Sequence, residues 1–404
     1  MLHTLRVNIL IILASAFFLF LLSLAIAPVR KWALGRLSMP VPSTNQALPV
    51  LDALRGLAAL WVAMFHYWQW SEPAYNGVVD VFPFVLQGTK AIPVFVILSG
   101  FLIYRSAKRI RTIDDLKDYA TRRLLRIYPL YLATTIACFF LFELSPDVIA
   151  KWQRFLAEAL ALRSIGYPDF FNPPAWSLYV EMLFYAFCPL FVVLSRQRLL
   201  QASVVIFVLL TFSDVNAPRE VLLWKYFFVG IITGELIDLF GKQSERASML
   251  FLLLGSYLLY LDVGGTNWFG ESINSLCRQQ RWGCTLSGAQ NQAFTVGLAA
   301  SIALIIIGGV NSRIVSRIFS THPFRVLGTI SYSVFLWHGI VIALAFGMSF
   351  NGHGNTTSSQ TFQVTSGWPM LYLGIPSILA VGITSFLLIE RPFLMLRPKQ
   401  PRLP

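Results

Sequence analysis

In the run LDALRGLAALWVAMFHYW, Arg55 and His66 stand eleven residues apart. On an α-helix that interval is close to three turns, so both side chains leave one face, about 16 Å apart along the axis. Ionisable groups are costly in so apolar a segment and belong to a bundle interior or a wet cavity. A neutral imidazole can take a proton from a hydroxyl, the task of a general base. A guanidinium grips phosphate oxygens in its fork. The pair therefore reads as a site with two ends, an anion anchor and a proton acceptor. Asp52, one turn before Arg55, is its neighbour on the helix and would orient it.

Four further segments carry candidate groups. In YATRRLLRIYPLYL, Arg122, Arg123 and Arg126 open an apolar run; the cluster fits a phosphate clamp acting with Arg55, and equally a basic anchor at a membrane surface. In PPAWSLYVEMLFY, Glu181 and Tyr185 are four apart and share a face; the carboxylate would orient His66 or bind a hydroxyl, or simply bond a neighbouring helix. Ser99 in FVILSGFLIY fits either close helix packing or a cavity wall, and no nucleophile elbow surrounds it. ISYSVFLWHG carries Ser331, Tyr332 and His338, with Ser331 and His338 near one face, as cavity-lining or packing groups.

These residues need a membrane bundle to hold them. The chain has 404 residues, 56% hydrophobic and only 13% charged, with a mean hydropathy of +0.64. A soluble domain carries about a quarter charged residues. Apolar stretches at 8–27, 50–70, 87–104, 124–144, 176–195, 199–213, 221–240, 248–262, 293–310, 327–349 and 370–390 predict an all-α polytopic membrane protein, a single bundle of about 10–11 transmembrane helices. The net charge of +13 lies between these stretches rather than in one block, which fits loops at an anionic membrane surface and not nucleic acid. With the loop 105–126 on the cytoplasmic side, 22 Lys and Arg fall inside and eight, Lys90 among them, outside. The N-terminus is then expected outside and the C-terminus inside. Arg55 lies toward the cytoplasm and His66 toward the exterior.

Cys138 and Cys188 sit in apolar runs and read as small buried hydrophobes. Cys277 and Cys284 share a polar loop on the expected outer side, where a disulfide can form. No metal-ligand spacing occurs, so no metal is expected. The loop 350–367 is rich in Gly, Ser, Thr and Asn.

In order along the chain, the blocks LDALRGLAALWVAMFH, FVILSGFLIY, YATRRLLRIYPLYL, PAWSLYVEMLFY, LGTISYSVFLWH and IERPF resemble the acyltransferase-3 family of integral-membrane acyltransferases. The family's Arg–ten residues–His motif falls on Arg55 and His66. Its Arg-x-x-Arg motif falls on Arg123 and Arg126, and its Trp-Ser-x-x-x-Glu block on Trp176, Ser177 and Glu181. The resemblance implies transfer of an acyl group, usually acetyl, from cytoplasmic acyl-CoA to a hydroxyl of an extracytoplasmic glycan or lipid-linked saccharide, in the cell membrane. His66 and Glu181 would be catalytic, and Arg55, Arg122, Arg123 and Arg126 would hold acyl-CoA. Ser99, Trp176, Tyr185, Ser331, Tyr332 and His338 would position substrate. Three regions are expected: an additional N-terminal anchor and cytoplasmic linker over 1–49, the acyltransferase domain over 50–393, and a basic cytoplasmic tail over 394–404. No soluble esterase-like domain is expected, so any such step would need a separate extracytoplasmic partner protein. A transporter or flippase of a lipid-linked saccharide would also use buried charges in a bundle. It has no need of a histidine aligned with a phosphate clamp.

Overall fold

A computed structural model describes residues 2–37, 48–70, 83–141, 148–160, 172–211, 219–264, 295–346, 349–350, 356–357 and 369–397. Fourteen helices, besides the short 3-10 segments Pro83–Lys90 and Pro173–Ala175, follow along the described chain. The first seven are α1 (Leu2–Ser23), α2 (Ala27–Leu37), α3 (Pro49–Trp70), α4 (Ala91–Ala107), α5 (Ile113–Leu141), α6 (Val148–Ala159) and α7 (Trp176–Leu194). The others are α8 (Leu199–Thr211), α9 (Arg219–Phe240), α10 (Glu245–Val263), α11 (Val296–Asn311), α12 (Arg313–Phe319), α13 (His322–Phe346) and α14 (Met370–Met395). A two-residue antiparallel ladder joins Ser349–Phe350 to Thr356–Thr357. The protein is an all-α, multi-pass membrane protein. Every one of the apolar stretches read from the sequence meets a helix. Among the described residues, seven helices are long and apolar enough to cross a membrane by length and composition, and up to nine if each bent pair is one span. The bent pairs are α1 with α2, at 115°, and α11 with α12, at 93°. The expected span at 199–213 is the shorter helix α8, Leu199–Thr211. The Cys277/Cys284 pair lies outside the described residues, whereas Cys138 and Cys188 are buried free thiols.

Local signals set several helix boundaries. Ser244, Thr295 and Ser312 cap α10, α11 and α12 by accepting from the amides of Ala247, Leu298 and Val315, supplying partners for otherwise orphaned N–H groups. The helix α14 contains two π segments, Met370–Gly374 and Phe386–Glu390. Large apolar side chains such as Phe140, Leu194 and Leu388 are exposed on outward faces. In water that would be a liability, whereas in lipid it carries little cost.

Two helices at the centre, α3 and α13, pack at very short range. A Cβ on Gly56 would stand 2.6 Å from the Leu327 side chain, and one on Gly328 would stand 2.5 Å from the Asp52 carbonyl oxygen. Glycine at both positions lets the backbones meet, as small residues do between membrane helices. The interface continues from there toward His66 and His338.

Lys90, counted with the outer charges in the sequence, is almost wholly buried. Its Nζ lies 2.8 Å from Asp262 Oδ2 and also bonds the Asp262 carbonyl oxygen. Thr295 Oγ1 donates to Asp262 Oδ1 at 2.5 Å, and Tyr226 OH to the Thr295 carbonyl oxygen at 3.0 Å. This network ties the start of α4 to α9, α10 and α11. Pairing and the further hydrogen bonds offset part of the cost of burying both charges.

The seam makes a direct prediction. Gly328→Val should force α3 and α13 apart, costing about 1–3 kcal/mol. A lower melting temperature and a smaller monodisperse fraction in detergent are expected, while Gly35→Val, at a position with open space around it, should change neither.

Candidate active site

Five helices converge on a cavity. From α3 comes Arg55, buried to 7% exposure. From α4 come Phe95 and Ser99, and from α5 Arg126 and Ile127. From α7 come Ser177, Leu178, Glu181 and Tyr185, and from α13 Ser331, Tyr332 and Phe335. The volume is about 50 Å³, room for a water or two. A substrate-sized ligand must part these walls to enter.

Glu181 is the polar centre of the wall. Ser99 Oγ and Tyr185 OH both donate to its Oε1, each at 2.5 Å. An ionised carboxylate only accepts, so both hydroxyls aim their hydrogens at it. Tyr119 OH donates to the Tyr185 carbonyl oxygen at 3.1 Å, joining α5 to α7 behind this group. Tyr332 OH donates to the Ile127 carbonyl oxygen at 2.9 Å, joining α13 to α5 beside Arg126. Ser331 Oγ bonds locally, to the Gly328 carbonyl oxygen.

The expected arginine cluster divides. Arg126 faces the cavity, and Asp52 and Arg126 both act on Arg55 electrostatically. Arg123 Nη2 donates to Ser106 Oγ at 2.8 Å, and its guanidinium lies over the rings of Tyr119 and Tyr185. Arg122 stands 3.7 Å from Asp118, one turn earlier. The cation–π contacts hold Arg123 against the aromatic backing of the cavity rather than in its wall.

A cation missed in the sequence stands nearby. Arg397, just past α14, has its Nε and Nη2 buried with no hydrogen-bond partner. Burial, then Arg126 and then Arg123, push its guanidinium down to about 9. Arg391 Nε and Arg122 Nη1 are likewise buried without a hydrogen bond. At Arg397, such donors beside the like charges of Arg126 and Arg123 suit an anion. Only the bare tail of basic residues could have flagged Arg397, since nothing in its spacing sets it apart from a surface anchor. Glu390, in the IERPF block, is also buried and accepts from Ser333 at 2.9 Å.

His66 is not among the residues that line the cavity. Its Nδ1 lies 2.8 Å from Nε2 of His338, across the α3–α13 interface. His338 Nδ1 in turn lies 2.6 Å from the carbonyl oxygen of Phe335, whose side chain lines the cavity. Glu181, expected to orient His66, bonds Ser99 and Tyr185, and the contact to the His66 ring comes from His338. Trp176 is half-buried and packs against the apolar core at the head of α7.

A helical membrane protein with a cationic, carboxylate-bearing cavity and a nearby imidazole pair is the setting of an acyltransferase. The family described as "Acyltransferase domain" matches residues 48–388, and the chain belongs to it, the acyltransferase-3 family. The helices α1 and α2 precede the matched region. A candidate acetyltransferase of Acidianus two-tailed virus, ORF330, is 29% identical over 75% of this chain and 89% of its own length. The O-acetyltransferase OatA of Staphylococcus aureus is 26% identical over 73% of this chain and 50% of its own. The acyltransferase MdmB of Streptomyces mycarofaciens is 34% identical over 39% of this chain and 42% of its own. This chain thus matches about half the length of the staphylococcal enzyme. No solved structure matches it significantly.

If Glu181 acts on substrate, Glu181→Gln should lower acyl transfer by about 10²-fold. The variant keeps a side-chain oxygen to accept from Ser99 and Tyr185, so its melting temperature should move by only a few degrees. A parallel loss of stability would make Glu181 a packing residue instead.

Proposed function

We propose that the protein transfers an acyl group, acetyl first, from cytoplasmic acyl-CoA to a hydroxyl of an extracytoplasmic or lipid-linked glycan. The observation that carries this reading is the polarity of α3. Arg55 stands in a cationic cavity with Arg126, and His66 lies three turns further along the same helix. The Lys and Arg distribution directs the Arg55 end toward the cytoplasm. The donor's phosphates would lie against Arg55 and Arg126, with Arg397 and Arg122 adding charge nearby and Arg123 bracing this cluster through Tyr185. The acyl thioester would reach past Ser99, Ser331 and Tyr332 toward His66.

The reaction balances on these residues. His66 takes the proton of the acceptor hydroxyl as its oxygen bonds to the thioester carbonyl carbon. The carbon–sulfur bond breaks, and the departing thiolate takes up a proton, leaving the acylated glycan and free CoA. Glu181 would bind and orient the acceptor hydroxyl or the carbonyl. In this reading α1 anchors the chain ahead of the acyltransferase domain, the N-terminus faces outside, and the basic tail lies in the cytoplasm.

The test is reconstitution of the purified protein in vesicles with radiolabelled acetyl-CoA and a lipid-linked oligosaccharide, the products read by mass spectrometry. Acetylated saccharide is expected from the native protein, and none above about one hundredth of that from His66→Ala. Combined Arg126→Ala and Arg397→Ala should raise KM for acetyl-CoA by tenfold or more, about 1.4 kcal/mol. Saccharide crossing the bilayer unmodified would identify a flippase, and an unchanged KM would leave the two arginines as membrane anchors.

A further inference from the structure

We propose that His338 is a positioning residue that fixes the tautomer of His66 and accepts from it during proton transfer. The inference rests on the reading of His66 as the base. It starts from a carbonyl group. The Phe335 oxygen can only accept, and His338 Nδ1 lies 2.6 Å from it, so that nitrogen carries the hydrogen. A neutral His338 then presents a lone pair at Nε2. The facing atom, His66 Nδ1, is 2.8 Å away. Two lone pairs do not meet at that distance, so His66 carries its hydrogen on Nδ1. The basic nitrogen of His66 is therefore Nε2.

The ring geometry agrees. The two imidazole planes are 9° apart and their centroids 5.0 Å apart. So long a centroid separation with so short a nitrogen contact puts the rings edge to edge. The shared hydrogen lies in both ring planes, along the lone pair that receives it. A face-to-face stack would direct neither nitrogen at the other.

The order Phe335 carbonyl, His338, His66 resembles in logic the way a buried acceptor fixes the imidazole of a hydrolase triad. When His66 Nε2 gains the hydroxyl proton, the Nδ1–H bond to His338 strengthens and spreads the new charge over two rings. When the thiolate is reprotonated, that proton leaves from Nε2, and the pair returns to its starting tautomers. No net proton is taken up or lost. The opposite state, with His338 already cationic, would donate from its Nε2 to His66 Nδ1 and place the His66 hydrogen on Nε2, which blocks the base. The neutrality of His338 is thus a condition for activity.

The experiment compares His338→Phe with His338→Gln in the reconstituted assay. Phenylalanine fills the space without an acceptor, and glutamine restores one. For H338F, kcat should fall about 10²-fold or more with KM for acetyl-CoA within twofold. H338Q should recover at least tenfold of that loss. Equal impairment of the two variants at unchanged melting temperature, or a kcat for H338F within twofold of native, would overturn the proposal. A reading that needs no variant to fold comes from nitrogen NMR of the native protein with labelled histidine, the His66 signals assigned by their loss in His66→Asn. A hydrogen on His66 Nδ1 is expected, and one on Nε2 overturns the proposal. Full activity of His66→Ala would remove the base assignment while leaving this tautomer measurement intact, so the two failures are distinguishable.

Discussion

The contact between α3 and α13 carries the arrangement on which the rest of the structure depends. At one end Gly56 and Gly328 let the backbones approach until a single added methyl group would collide with the partner helix. Toward the other end the same approach brings two imidazoles within hydrogen-bonding distance. Between them, the α13 side chains Ser331, Tyr332 and Phe335 face a cavity that Arg55 enters from α3. Spreading the helices by the width of a side chain would open the imidazole bond and uncover the cavity together. The seam therefore acts as a ruler for the site, and neither helix alone contains it.

The bundle meets a second constraint by the same means. Buried polar groups must find partners within the protein, because the hydrocarbon surroundings supply none. Lys90 finds Asp262, Ser333 finds Glu390, Glu181 finds Ser99 and Tyr185, and Tyr332 finds the backbone beside Arg126. Apart from the Glu181–Tyr185 bond, which lies within α7, these bonds cross between helices, so they fix rotation about each helix axis as well as proximity. Among the described residues a few buried polar side-chain atoms have no hydrogen bond, and most of them are guanidinium nitrogens, of Arg122, Arg391 and Arg397. That contrast is why the arginine-rich end reads as a place for a ligand and the Lys90 network as a brace.

Much of this was legible in the sequence because period and composition are local. The helices follow from apolar runs, and Arg55, Ser99, Arg126, Glu181, Tyr185, Ser331 and Tyr332, singled out by residue type and spacing, all line one cavity. What was not legible depends on pairing between distant segments. Spacing on one helix showed that Arg55 and His66 share a face, yet it held no sign that His338 would meet His66. It also assigned Lys90 to the outer loops, since its buried partner Asp262 lies on a helix far along the chain. Arg122, Arg123 and Arg126 looked equivalent in RRLLR. The 100° step per residue sends them to different neighbours, namely Asp118, the tyrosine rings and the cavity.

The histidine pair also bears on how the molecule is made. Its members are 272 positions apart in the chain. At a synthesis rate of roughly 5–20 residues per second, roughly 15–55 s pass between the appearance of His66 and that of His338. During that interval α3 stands without its His338 contact and with its glycine groove unfilled. The nascent chain must hold an incomplete bundle, and α13 has to insert into a gap already shaped by earlier helices. Assembly of the site is thus a late event in biogenesis, and a chain interrupted before α13 lacks the helix that closes the cavity and carries His338.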